Sequence, residues 1–281
     1  MKQLKISKTN EVNPVFSFIG KADGFITFSI TRANFRKDAS NPIYMASILE
    51  TMKKLKINDV YMPNIEHGTK IISVDENWRL NKSSFNNVNV FTTKDFSDSI
   101  ISDEGKFLAI ASADCMIATI IDVKTGIIAI AHVGWRGAIG DILLKTIDEI
   151  LLRGNSSKEN IKIFTGPSLK KENFEIKEDV KEIISDYCLH KKLNPEKYIE
   201  TKNDEQWLFD QDSLVEETLL NYGILKENIS ISPMDTFSEP DISGREEYLY
   251  HSNRRDGNDS GRILVGIVPS KYYNNVLKSM I

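Results

Sequence analysis

The chain has 281 residues, 41% hydrophobic and 27% charged, the balance of an ordinary globular protein with a real core. Its 36 Lys+Arg against 40 Asp+Glu leave a formal net charge of −4, which argues against a general nucleic-acid coat protein. Two cysteines cannot build a disulfide framework, so a reducing compartment is the simpler reading.

The opening "MKQLKISKTNEVNPVFSF" carries lysines but no long apolar run, so no signal peptide is expected. Further on, "FITFSIT" (25–31) alternates like a strand. Asn41 and Pro42 form a helix start, with Asn as N-cap and Pro at the first helical position. Met45, Ile48, Leu49, Met52 and Leu55 then recur at helical spacing. Two short strands follow, "DVYMP" (59–63) and "KIISV" (70–74), and the loop between them holds His67 beside Gly68.

The middle of the chain is the most regular. "FLAIASA" (107–113), "MIATIID" (116–122) and "GIIAIAHV" (126–133) are apolar and too short for core helices. The "DVKTG" turn predicts that the last two pair as an antiparallel hairpin. "GWRG" (134–137) reads as a turn into the amphipathic helix "AIGDILLKTIDEILLRG", with Gly154 as its C-cap. Beyond it come a strand "IKIFTG" (161–166), a helix "VKEIISDYCLH" (180–190) and a helix "DSLVEETLLNYG" (212–223) capped by Asp212 or Ser213. Strands "NISIS" (228–232) and "RILVGIV" (262–268) close the pattern. No repeat or Pro/Ser-rich linker divides the chain, so one domain over 1–281 is expected, an α/β layered fold around mixed sheets. No apolar stretch runs far enough without Asp, Lys or Gly to span a membrane, and a cytoplasmic location is expected.

Cys115 follows Asp114 at a break between two apolar runs, and His132 ends the strand that returns from the hairpin. An antiparallel return can bring the two toward one end of a sheet, while spacing alone does not place them in contact. His67 belongs to another loop at a strand end. One Cys and two His are the residue types of a three-ligand zinc site with a fourth position open. A lone Cys in a strand is more usually a small core hydrophobe, which also suits Cys188 with His190. Arg136 could serve an anion at the helix start, and Arg254, Arg255 and Arg262 in the glycine-rich "HSNRRDGNDSGR" could hold phosphate or carboxylate. Either segment could equally be a solvated turn.

The combination "ADC" (113–115), "AHVGWRGA" (131–138) and "RRDG…SGR" (254–262) resembles the laccase-domain, or multicopper polyphenol oxidase, YfiH-like family, with a weaker likeness from Thr31 and Arg32 to the final strand. The resemblance implies a layered α/β/β/α fold. It implies zinc on His67, Cys115 and His132, with Cys115, His132 and Asp114 in catalysis and Arg32, Arg136, Arg254 and Arg255 toward substrate or phosphate. The activity implied is phosphorolysis of purine nucleosides (adenosine, inosine, guanosine, methylthioadenosine), with adenosine deamination beside it. The partners expected are therefore small molecules, a purine nucleoside and phosphate, on a monomer or homodimer. Where the family usually has Gln-Val-His-Gly and a Pro after Asp-Cys-x, this chain has Ile65-Glu66-His67-Gly68 and Ile117. Three alternatives stay open: a metal-free Cys–His hydrolase or deamidase, a copper-dependent polyphenol oxidase, and a catalytically silent nucleoside-binding protein. Copper (Cu2+) is the less expected metal, because laccase-type clusters need many histidines and the chain has four.

Overall fold

Strands that are apolar on both faces need cover on both sides, and that requirement organises this chain. β9 (Met116–Asp122) and β10 (Ile128–Val133) are buried at every position. The computed structural model describes residues 16–22, 24–30, 52, 56–85, 87–241, 247–257 and 260–269. Within them, two mixed sheets stack face to face. The first has seven strands in the order β1-β2-β16-β8-β3-β6-β5: Phe16–Ala22, Phe25–Ile30, Ile263–Pro269, Leu108–Ser112, Asp59–Asn64, Val88–Phe96 and Leu80–Phe85. The second has six, in the order β15-β11-β9-β10-β7-β4, where β15 is Ile229–Ser230, β11 Ile161–Thr165, β7 Ser99–Ser102 and β4 Ile71–Ser73.

Three apolar clusters account for the layers. Between the sheets lie Tyr61, Leu108, Ile110 and Val265 from the first and Ile100, Ile117, Ile128 and Ile130 from the second. Each such side chain, fully buried, stabilises by roughly 1.5–3 kcal/mol. Met52 and Ile57 pack with Ile26, Phe28 and Val60 on the first sheet. Helices Ile142–Gly154 and Gln211–Tyr222 cover the outer face of the second. β2 is therefore buried at all six positions rather than alternating. The fold is the layered α/β arrangement expected. The helix expected behind Asn41 and Pro42 lies outside the described residues, apart from Met52.

The hairpin at 122–126 forms as predicted, with Ile128 opposite Ile121 and His132 opposite Ile117. Four local expectations are corrected. "GWRG" is not a plain turn: a short helix, Trp135–Ile139, begins directly after Gly134. The long helix starts only at Ile142, after Asp141 adopts a left-handed φ of 60°. Gly154 is still helical and Asn155, at φ 42°, makes the C-cap; Asp210, not Asp212 or Ser213, caps the later helix by accepting from Ser213 N. A third sheet, β12-β14-β13 (Glu175–Ile176, Gln206–Phe209, Ile199–Asn203), escaped the sequence pattern. It packs with helix Glu178–His190 around Tyr198, Phe209 and Cys188, so Cys188 is a small core hydrophobe. No helix among the described residues is long and apolar enough to cross a membrane.

Candidate metal centre

β3 is parallel to both its neighbours, β6 and β8, so the C-terminal ends of all three open on one edge of the first sheet. Each strand then crosses to the second sheet, as β3→β4, β6→β7 and β8→β9. The three crossings carry His67, Asp98 and Cys115, and the end of β10 sets His132 beside them.

The loop of His67 is exposed and His67 itself has φ 65°, an uncommon conformation for a non-glycine residue. It is held by Asp98, whose carboxylate accepts from the backbone N–H of His67 (3.0 Å), Gly68 (2.7 Å) and Glu66 (3.4 Å). The same carboxylate lies 2.9 Å from His132 Nδ1. Asp98 is fully buried. Burial pushes its pKa up, but the His132 hydrogen bond and the backbone N–H groups outweigh that and hold it below the usual carboxylate value.

Cys115 is set by the residue before it. Asp114 has φ 79°, accepts at its carboxylate from Thr236 Oγ1 and from Arg254 N (both 2.6 Å), and at its carbonyl from Leu169 N. Both carboxylate oxygens are thus engaged in fixing the strand break. Burial raises the Cys115 thiol, but hydrogen bonds from His132 and His67 outweigh it and bring the pKa down to about 7. Burial lowers His132, but Asp98 and Cys115 outweigh it and hold the imidazole up at about 9. The two imidazole rings stand 4.8 Å apart, nearly perpendicular at 87°. The ligand atoms of His67, Cys115 and His132 all lie within 4.8 Å of one another. Gly134 faces the cluster. A Cβ there would meet Cys115 Sγ and His132 Cε1 at 3.4 Å and His67 Cδ2 at 3.6 Å.

The arginines sort differently from expectation. Arg255 has five N–H donors, and all are used: on Asp256 twice, and on the carbonyls of Thr236, Phe237 and Tyr250. No donor remains for a phosphate, so Arg255 holds its own loop together. Arg254 spends guanidinium donors on the carbonyls of Asn173 and Glu175, and Arg262 turns back on Ser260 and Gly261. Arg136 is exposed and stacks over Trp135, 4.3 Å from the ring centroid. Arg32 lies outside the described residues. His190 is an exposed helix-end residue bonded to Asp186 O, and His251 is a buried ring packed on Gly261. Asp98 was missed, because it reaches His132 through the pairing of β7 with β10 and the His67 loop through the parallel pairing of β4 with β7, and no local pattern encodes either.

Two stacked mixed sheets with an imidazole–thiol–imidazole cluster at the ends of three parallel strands define a protein built around a small polar centre able to hold a metal ion. The family described as multi-copper polyphenol oxidoreductase laccase matches residues 37–270, and the chain belongs to it. It is similar to a purine nucleoside phosphorylase of Rickettsia conorii, 23% identical over 243 residues, spanning 83% of this chain and 92% of the relative. An adenosine deaminase from an unknown prokaryotic organism is 24% identical over 275 residues, 95% of this chain and 98% of the relative. The crystal structure of Bacillus licheniformis YfiH has a TM-score of 0.70 at 18% identity, covering 90% of this chain and 98% of that one. YlmD from Geobacillus stearothermophilus gives 0.68 at 20% identity, covering 88% and 92%.

Proposed function

We propose that the chain is a zinc-dependent purine nucleoside phosphorylase, with adenosine deamination as a second reaction on the same site. The observation that carries this reading is the meeting of His67, Cys115 and His132 donor atoms within 4.8 Å. Tetrahedral zinc places N and S donors roughly 3.3–3.8 Å apart, so the set fits after a contraction of about 1 Å. Gly134 supports the fit, since its missing side chain leaves room against all three ligands. The names of the Rickettsia conorii and unknown-prokaryote relatives support the two reactions.

Zinc held by His67, Cys115 and His132 would supply Lewis-acid chemistry. The chain's own residues do the rest. Cys115 brings a thiol already lowered to about 7, so its anionic form is available at neutral pH. Asp114 acts through the fold rather than through proton transfer, both its oxygens being bonded. Arg136, exposed beside Gly134 and Gly137, is the described arginine in this reading that meets an attacking phosphate. Copper phenol oxidation draws little support from a chain with four histidines, of which His190 and His251 sit apart as structural residues.

A second reading has a specific observation behind it. A thiol at about 7 hydrogen-bonded to an imidazole is also the equipment of a metal-free Cys–His hydrolase. Metal analysis of the purified protein, with adenosine and inosine assays in the presence and absence of phosphate, separates the readings. About one zinc per chain with phosphate-dependent release of free base is expected, and ammonia from adenosine reports deamination. Turnover that survives chelators and needs no His67 would establish the hydrolase instead. Nucleoside binding without any product would make the chain a silent binding protein.

A further inference from the structure

We propose that Asp98 is the positioning residue of this centre, one buried carboxylate that orients both histidines at once. The inference rests on the metal-site reading above and assigns how that site is held in shape.

An ionised carboxylate only accepts hydrogen bonds, with about four lone-pair positions. Asp98 has four N–H groups around it: His132 Nδ1 at 2.9 Å and the backbone of Glu66, His67 and Gly68 at 3.4, 3.0 and 2.7 Å. The His132 bond must therefore be donated by Nδ1–H. That fixes the tautomer, places no proton on Nε2 of the neutral ring, and leaves the Nε2 lone pair as the one available to an ion. On the other arm, the loop of His67 is exposed and turns through φ 65°, with three successive N–H groups directed onto the same carboxylate. Such a concave run of amides is built around an anion. Main-chain bonds repeat the tie, since Asp98 N donates to Lys70 O (3.0 Å) and His132 N donates to Asp98 O (2.7 Å). The separation of the two imidazoles is thus set through one residue.

Asparagine has nearly the same shape but turns one oxygen into a donor. In Asp98→Asn an NH2 group must face either the Glu66 and Gly68 N–H groups or the His132 and His67 side of the clamp, so one arm loses its acceptor. The test compares Asp98→Asn with the wild-type protein by two readouts that do not depend on turnover. The first is 15N NMR of the His132 ring in metal-free protein above about pH 10, where the ring is neutral and the wild type is expected to carry its one proton on Nδ1 and the variant to shift. The second is zinc affinity by competition with a chromogenic chelator, expected to weaken by about 10–100-fold. A folded variant with wild-type ring shifts, or with wild-type zinc affinity, overturns the inference. If the variant does not fold, the wild-type spectrum above about pH 10 decides, where the ring is neutral, and a single proton found on Nε2 instead of Nδ1 overturns it. A wild-type protein that takes up no zinc sinks the metal reading alone, and the ring spectra still test Asp98.

Discussion

Gly134→Ala separates room for a ligand from stability of the fold. Gly134 has φ −60° and ψ 163°, which any L-residue adopts, so glycine is not needed there for its backbone. The new methyl would stand 3.4 Å from Cys115 Sγ and His132 Cε1 and 3.6 Å from His67 Cδ2, ordinary contact distances in the metal-free protein. Metal-free stability should therefore change by no more than about 1 kcal/mol, with the reduced freedom of the unfolded chain offsetting a weaker N-cap. The methyl nonetheless occupies the space beside the coordinating atoms. A 100-fold loss of zinc affinity is the expected scale, about 2.7 kcal/mol. At free zinc of about 100 times the wild-type Kd, binding stabilises the wild type by about 2.7 kcal/mol and the variant by about 0.4 kcal/mol. Unfolding 281 residues carries an entropy of about 0.6 kcal/mol per kelvin. The zinc-induced rise in Tm should thus be about 4–5 °C for the wild type and under about 1 °C for Gly134→Ala. Scanning calorimetry with and without zinc reads both numbers. Equal zinc-induced shifts in the two proteins would refute the argument that Gly134 keeps the centre open.

Other consequences are separable. In metal-free protein, iodoacetamide should alkylate Cys115 with a midpoint near pH 7, the rate rising with pH as the thiolate forms, while Cys188, pushed up to about 11 by burial and by Glu217, stays inert. Reaction at both thiols with a common midpoint would remove the role given to the imidazoles. Zinc must displace the His132 proton, held to about 9, and below about 7 the Cys115 proton as well, so affinity should fall as pH drops from 9 to 6, most steeply below 7. Calorimetric titration in buffers of different ionisation enthalpy counts the protons released, and a pH-independent affinity counts against the ligand set. Arg255→Ala should cost about 2–4 kcal/mol, because buried carbonyls at Thr236 and Tyr250 lose their donors. Arg136→Ala should leave the melting curve within about 0.5 kcal/mol and raise KM for phosphate tenfold or more, and the reverse ranking of the two would exchange their roles. Gly261→Ala puts a Cβ 2.5 Å from the buried His251 ring, and a loss of about 1–3 kcal/mol in denaturant titration is expected.

What could be read in the sequence follows from where the information sits. β8, β9 and β10 are legible because their burial is two-sided and leaves unbroken apolar runs, and the 122–126 turn because its chemistry is local. There Asp122 accepts from Lys124 N and Thr125 Oγ1, and Gly126 supplies φ 78°. The polar hairpin of β5 and β6 and the small sheet β12-β14-β13 carry no such signal, since their pairing partners are set by tertiary cover. The site divides the same way. Cys115 and His132 sit at visible ends of apolar runs, one hairpin apart, so the sequence places them near each other. His67 and Asp98 come from two crossings that meet because β3 and β6 at one end and β4 and β7 at the other run parallel, and parallel neighbours are joined by nothing local. Asp98 is the sharper case. As a fully buried acid it would cost several kcal/mol if unpartnered, and every partner of its carboxylate lies 30 or more positions away. A residue whose burial is tolerated only by long-range partners is invisible to periodicity, yet it ties together the two arms that the visible motif leaves apart.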